Sequence, residues 1–229
     1  ESANESSFST TQSVVVKKFL PRPDSLDSEI SIAGRTCLIT DNGEKTTYNI
    51  AKSLQTLGWK VIVMHLPTAV VSKPSSLPKG VQSIKLAKLS DEELGKTLNA
   101  LTANETINGF IHLSSKASDK GSKLKFSKRE SSVLKMVFFI AKHLKQALST
   151  QPAQGRNFFI TVSYMDGEIG TAGQHRFELN QGGLNGLVKT ANLEWDNVFC
   201  RAIDLSPEIK DKDSAELIIG ELFDPDLSM

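Results

Sequence analysis

What most limits the folds open to this chain is the character of its apolar runs and of the segments between them. RTCLIT (35–40), WKVIVMHL (59–66), GFIHLSS (109–115), NFFITVSY (157–164) and VFCRAIDLS (198–206) are short, nearly continuous apolar blocks. A strand with one wet face alternates apolar and polar residues. These blocks do not alternate, so they predict strands covered on both faces. The intervening segments have a helical period. TTYNIAKSLQTLG (46–58) places Ile50, Leu54 and Leu57 on one stripe and closes on Gly58. LSDEELGKTLNAL (89–101) opens on Ser90 with Glu93 three residues on, the spacing of a capping box. KRESSVLKMVFFIAKHLKQAL (128–148) is apolar at Leu134, Val137, Phe138, Ala141 and Leu144. FELNQGGLNGLVKTANLEW (177–195) predicts a helix despite its glycines. Asp213 with Glu216 predicts the cap of a last helix in SAELIIGELF (214–223).

Strand and helix thus alternate at least five times with short connections. That pattern specifies a parallel sheet with helices on both faces, an α/β doubly wound, Rossmann-like fold. VQSIKLA (81–87) adds a short strand, after a proline-punctuated loop, PTAVVSKPSSLPKG (67–80). Ahead of this unit, residues 1–12 are polar and serine-rich and read as disordered. SVVVKKFL (13–20) reads as a leading strand, and 13–34 as that strand plus a linker. The fold proper is expected over 35–229. The chain starts on Glu1 rather than methionine, so it is expected to be a piece of something longer.

Composition excludes several functions. The formal net charge of +1 offers no global attraction for nucleic acid, and the basic residues do not interleave with aromatics on a platform. No run approaches the ~20 apolar residues of a membrane helix, and there is no apolar signal core. Asn4 and Asn104 sit in glycosylation spacings that mean little without one. Cys37 and Cys200 lie inside apolar runs, which predicts buried free thiols in a reducing, cytoplasmic setting. The four histidines, His65, His112, His143 and His175, are far apart, so no metal is expected.

GGLNGLVKTANLEWDNVFCRAIDLSPEI (182–209) carries a resemblance. It is similar to the late helix and strand of ketoreductase domains in polyketide synthases and polyunsaturated fatty acid synthases. Those domains carry a similar Gly-Leu-x-(Lys/Arg)-x-x-x-x-Glu helix and then a strand ending in Asp-Leu. The resemblance runs from about residue 35 to 226, and NLEWDNVFCRAIDL looks most like the polyunsaturated branch. Such ketoreductases resemble two short-chain-dehydrogenase folds in tandem: a structural first half, then a half that binds NADPH and does the chemistry.

The family's functional positions separate the two halves. Active members carry Thr-Gly-x-x-x-Gly-x-Gly after the first strand, where glycines let backbone approach the pyrophosphate. Here TDNGEKTT (40–47) puts Asp41, Lys45 and Thr47 at the three glycine positions. Asp41 and Glu44 add negative charge, and Lys45 is read as solvated. Active members also carry a serine, then Tyr-x-x-x-Lys, in which the lysine lowers the tyrosine pKa. Anchored on GGLNGL, those positions are Phe177 and Gln181, with Ser163 near the serine. Neither Phe177 nor Gln181 supplies the missing groups. A Tyr-x-x-x-Lys spacing does occur at Tyr48 and Lys52, but on the first helix, which bears no catalytic tyrosine in this family. His112, at the end of a strand, is read as buried and bonded to backbone, and His65 as structural or solvated.

The resemblance therefore implies a non-catalytic structural subdomain, with no catalytic, cofactor-binding or metal-binding residues of its own. NADPH and phosphopantetheine are implied only for the parent, which would reduce 3-oxoacyl groups on an acyl carrier protein. The implied partner is the catalytic ketoreductase subdomain of the same chain, against which the leading strand can pair. Two alternatives remain open at this point: a divergent dehydrogenase holding NADPH by another loop geometry, and a carrier-protein docking module. The second would use the basic segment KASDKGSKLKFSKR (116–129), otherwise read as a solvated loop. Asp166, Glu168 and His175 mark a remnant cleft or a solvated loop. Self-association through Phe138, Phe139 and the helix bearing Gly182, Gly183 and Gly186 is a further expectation.

Overall fold

The computed structural model describes residues 34–116, 126–150, 155–173 and 177–224. The leading segment 1–33, including SVVVKKFL, most of the basic segment (117–125) and His175 lie outside the described residues. The elements run β1 (Thr36–Thr40), α1 (Lys45–Thr56), β2 (Lys60–His65), β3 (Gln82–Lys85), α2 (Asp91–Thr102), β4 (Ile107–Leu113), α3 (Lys128–Ser149), β5 (Asn157–Ser163), α4 (Leu179–Glu194), β6 (Val198–Asp204) and α5 (Asp211–Glu221). All strand pairs are parallel, in the order β3-β2-β1-β4-β5-β6. This is the expected doubly wound α/β architecture.

The continuous apolar runs bury both faces of the sheet. One core joins Leu38, Ile62, Phe110 and Phe159 to α2, α3 and α4. The other joins Cys37, Ile39, Val63, Ile111 and Phe158 to α1 and α5. Neighbours on one strand therefore serve opposite cores, as a two-residue pleat requires. Gly109 of β4 stands beside Phe158 of β5, and a Cβ there would lie 2.2 Å from the ring. The glycine makes room for the phenyl group. Both cysteines are buried and free, and burial pushes both thiols up, Cys200 to about 12.

Helix starts differ in part from expectation. Ser90 accepts from the Glu93 amide, which is one half of the capping box expected for α2. A complete capping box stands at Ser127 and Glu130 of α3, a spacing not singled out in the sequence. Asp213 does not cap α5. That helix begins at Asp211, after Lys210, so Asp213 falls in its first turn, where a carboxylate favours the helix dipole. Phe138 is not on the buried stripe of α3, since its side chain is 57% exposed. The stripe is carried by Val133, Met136, Val137, Ile140, Ala141, Leu144 and Leu148. Of the α4 glycines, Gly183 meets Leu134 of α3, while Gly182 and Gly186 face open space.

Candidate functional site

In a doubly wound sheet, ligands bind at the carboxyl ends of the strands where the strand order reverses. Here that point lies between β1 and β4. The first βα turn, which would meet a pyrophosphate, is occupied by its own side chains. Asp41 is fully buried. Its carboxylate accepts from the Gly43 amide at 2.9 Å, from the Ser75 amide at 2.9 Å and from the Ser75 hydroxyl at 2.6 Å. His65 Nδ1 lies 2.7 Å away. Burial alone would raise this carboxyl, but the Ser75, Gly43 and His65 contacts outweigh it and hold its pKa below the ordinary value. His65 is thus structural, bonded to Asp41. Asn42 completes the turn, accepting from the Glu44 amide at 3.1 Å and from the Thr47 hydroxyl at 2.8 Å.

Two amides that would face a pyrophosphate, those of Gly43 and Glu44, are therefore already used. The β2–β3 connection also lies across the turn. A Cβ on Gly43 (φ +81°) would stand 2.7 Å from Lys73 O and 2.8 Å from Val71 Cγ1. Residues and packing of this turn do not fit a dinucleotide. Thr47 is buried and bonded to Asn42, and Lys45 is exposed.

Lys116, at the end of β4, is not the solvated cation expected. Its Nζ donates to Ile209 O at 2.6 Å and to Asp211 at 2.9 Å, with Glu44 at 4.0 Å and the Tyr164 ring centre at 5.3 Å. Burial raises the Glu44 carboxyl, a shift that the adjacent Lys116 opposes. Burial also pushes the Tyr164 phenol up to about 12, against the pull of the Thr46 and Ser214 hydroxyls. A tyrosine shifted in that direction is no proton donor near neutral pH.

At the end of β5, Ser163 is buried and donates within reach of Ile203 O and of Asp204 at 3.0 Å. Asp204, at the end of β6, also accepts from the amides of Met165, Asp166, Gly167 and Ile169. Asp166 turns into the same loop and accepts from the amides of Glu168, Gly170 and Ala172. The loop that would border a substrate is wound around two of the protein's own carboxylates. Phe177 precedes α4 rather than lying on it, and packs on Gly170. Gln181 is fully buried, and its Oε1 accepts the Tyr164 amide at 2.6 Å. The structure brings Ser163 and Gln181 to adjacent positions of one β5–α4 junction, each bonded within it.

Sequence reasoning missed Ser75, Asp204 and Glu130. Ser75 sits in a loop with no motif, and Asp204 read only as the end of a strand. Tyr48 is partly buried on α1 and Lys52 exposed. His112 is buried, but its Nδ1 meets the Thr40 hydroxyl at 2.8 Å rather than a backbone group. What remains open is a cleft of about 300 Å3 lined by charged residues that include Glu44, Lys73, Lys116, Arg129 and Glu178. Arg129 spans it, bonded to Glu178 and to Val70 O. Among the described residues no group of three or more His, Cys, Asp or Glu side chains suits a metal, and no helix is long and apolar enough to cross a membrane.

No protein-family profile matches the chain. Among curated proteins it is 33% identical over 97 residues to one component of the polyunsaturated fatty acid synthase of a Thraustochytrium species, over 40% of this chain. The match spans only 3% of that very long relative. Many solved short-chain dehydrogenases share the fold. A metagenomic short-chain oxidoreductase solved with NADP superposes with a TM-score of 0.61 at 16% identity, covering 86% of this chain and 95% of that one. A short-chain dehydrogenase of Shigella flexneri gives 0.60 at 14% identity, covering 89% and 90%. RhlG of Pseudomonas aeruginosa, solved as an NADP active-site complex, gives 0.58 at 16%, covering 77% and 73%. The chain has the α/β fold seen in the short-chain dehydrogenases, and 97 residues of it are similar to part of a polyunsaturated fatty acid synthase component.

Proposed function

We propose that this chain is a non-catalytic, short-chain-dehydrogenase-like subdomain that supports the ketoreductase of a polyketide or polyunsaturated fatty acid synthase. The observation that carries this reading is the Gln181–Tyr164 bond. Where the resemblance places an active-site lysine, a neutral amide is buried and holds the β5 loop. The closed first βα turn supports the same reading. In the parent, NADPH would supply hydride in the downstream half, to a 3-oxoacyl group carried on phosphopantetheine. The residues of this chain would buttress that half, and its partner is the catalytic subdomain of the same polypeptide. Self-association through the exposed Phe138 face belongs to the same proposal. The synthase relative supports the multienzyme setting.

The test is a calorimetric titration of the chain with NADPH. The expected result is no saturable binding. A Kd below about 10 μM, about −7 kcal/mol, overturns the reading in favour of an independent dehydrogenase. The carrier-docking reading draws less support, because two cations of its basic segment are engaged internally, Lys116 with Asp211 and Arg129 with Glu178.

A further inference from the structure

Beside the Arg129 bridge lies a second, smaller space, to whose lining Arg129 and Glu178 also contribute. It offers about 20 Å3 to the centre of a water molecule and is lined on one side by His112, Ser114 and Asn180. Leu66, Val70 and Val133 supply apolar walls. His112 is 1%, Asn180 2% and Ser114 7% exposed. The His112 Nε2, Ser114 Oγ and Asn180 Oδ1 atoms are each buried and have no hydrogen-bond partner among the described residues. Three residues with an orphaned polar atom, from β4, its following loop and the first turn of α4, line one cavity. Leaving each unmade would cost free energy.

The hydrogen-bond chemistry of these groups is fixed by their neighbours. The Thr40 hydroxyl accepts the Leu113 amide at 3.1 Å and lies 2.8 Å from His112 Nδ1. A hydroxyl has one hydrogen, and Thr40 is fully buried. Directing that hydrogen to Nδ1 satisfies both groups and leaves the imidazole hydrogen on Nε2. Burial pushes the His112 pKa down to about 3, so the ring is neutral. The unpartnered groups of the lining are thus one N–H donor, one amide acceptor and one hydroxyl that serves as either, while the Arg129 and Glu178 side chains of the same lining are paired with each other.

We infer that this cavity is a binding site for a single ordered water molecule. The water accepts from His112 Nε2–H, donates to Asn180 Oδ1 and exchanges its third bond with Ser114 Oγ. Its volume suffices for about one water, and three polar partners is the usual number. The bound water ties the end of β4 to the start of α4, one residue before Gln181, beside the Arg129 contacts to Val70 and Glu178.

The test uses the full chain labelled with 15N-histidine, with signals assigned through His65→Gln, His143→Gln and His175→Gln. Long-range 1H–15N correlation at pH 7 is expected to show His112 as the Nε2–H tautomer. A dipolar cross-peak from that proton to a long-lived water is expected. In Asn180→Leu the cross-peak is expected to vanish while the tautomer persists. An Nδ1–H tautomer, or a wild-type Nε2–H without the water cross-peak, overturns the site, and so does a cross-peak that survives in Asn180→Leu.

Discussion

The Glu130 carboxylate closes the N-termini of two helices at once. One oxygen accepts the Ser127 amide at 2.7 Å, completing the box of α3, and the other accepts the Leu179 amide at 2.6 Å at the start of α4. Burial alone would raise this group, but its Ser127, Leu179 and Asn180 donors outweigh burial and hold it below the ordinary value. A glutamate in the first turn of one helix thereby sets the position of the next.

Replacing Glu130 by Ala is expected to cost about 1–3 kcal/mol in urea unfolding, because it orphans donors at both helix starts. The pH dependence has a definite sign. A carboxyl with a lowered folded pKa contributes stability fully above its unfolded value near ~4.3. That contribution is lost as pH falls through the folded pKa. Glu130→Gln is therefore expected to flatten the acid limb of the stability–pH curve, and an unchanged limb contradicts the assignment.

Asp41 occupies a position where the resemblance implies glycine. Asp41→Gly is expected to destabilise the chain by about 1–3 kcal/mol, since Ser75 and His65 lose their buried partner. It is not expected to create NADPH binding, because Val71 and Lys73 still cover the turn. Calorimetry with NADPH and a thermal melt on the same protein check both halves.

Gly109→Ala drives a methyl group into the Phe158 ring. A loss of about 1–3 kcal/mol is expected. Phe158→Leu in the same chain should restore part of it, so a double-mutant cycle should give a non-additive coupling. Strict additivity would mean that the two side chains do not meet.

The pair Phe177→Tyr with Gln181→Lys restores the two residue types of a reductase. No carbonyl reduction is expected from it. The lysine would bury an ammonium at the site where the Tyr164 amide needs an acceptor, with an expected cost of about 3 kcal/mol or more. Spectrophotometric NADPH consumption and urea unfolding read the two effects separately.

Much of the fold was legible because its signals are local and redundant. Continuous apolar strands, the stripe of α1 and the Ser90 cap each speak for themselves. The start of α5 was misplaced because Asp213 has the composition of a cap, while the helix begins three residues earlier than that cap implies and Asp211 pairs with Lys116. Such a pairing, between residues 95 positions apart, leaves no trace in a window of sequence. The candidate site was legible only as substitutions at Asp41, Lys45, Thr47, Phe177 and Gln181. What those residues do instead was hidden, because their partners, Ser75 and the Tyr164 amide, are set by tertiary packing.

The loop from Met165 to Ala172 reads as soft, with glycines at 167 and 170 and an exposed Ile169 at φ 58°. Yet Asp204 and Asp166 bind seven of its amides. To a pulse of heavy water, this stretch would keep time with the sheet rather than with the surface. Its deuterium uptake would report when β6 lets go of β5. A segment that looks like the place for a hinge is a latch on the sheet's own edge.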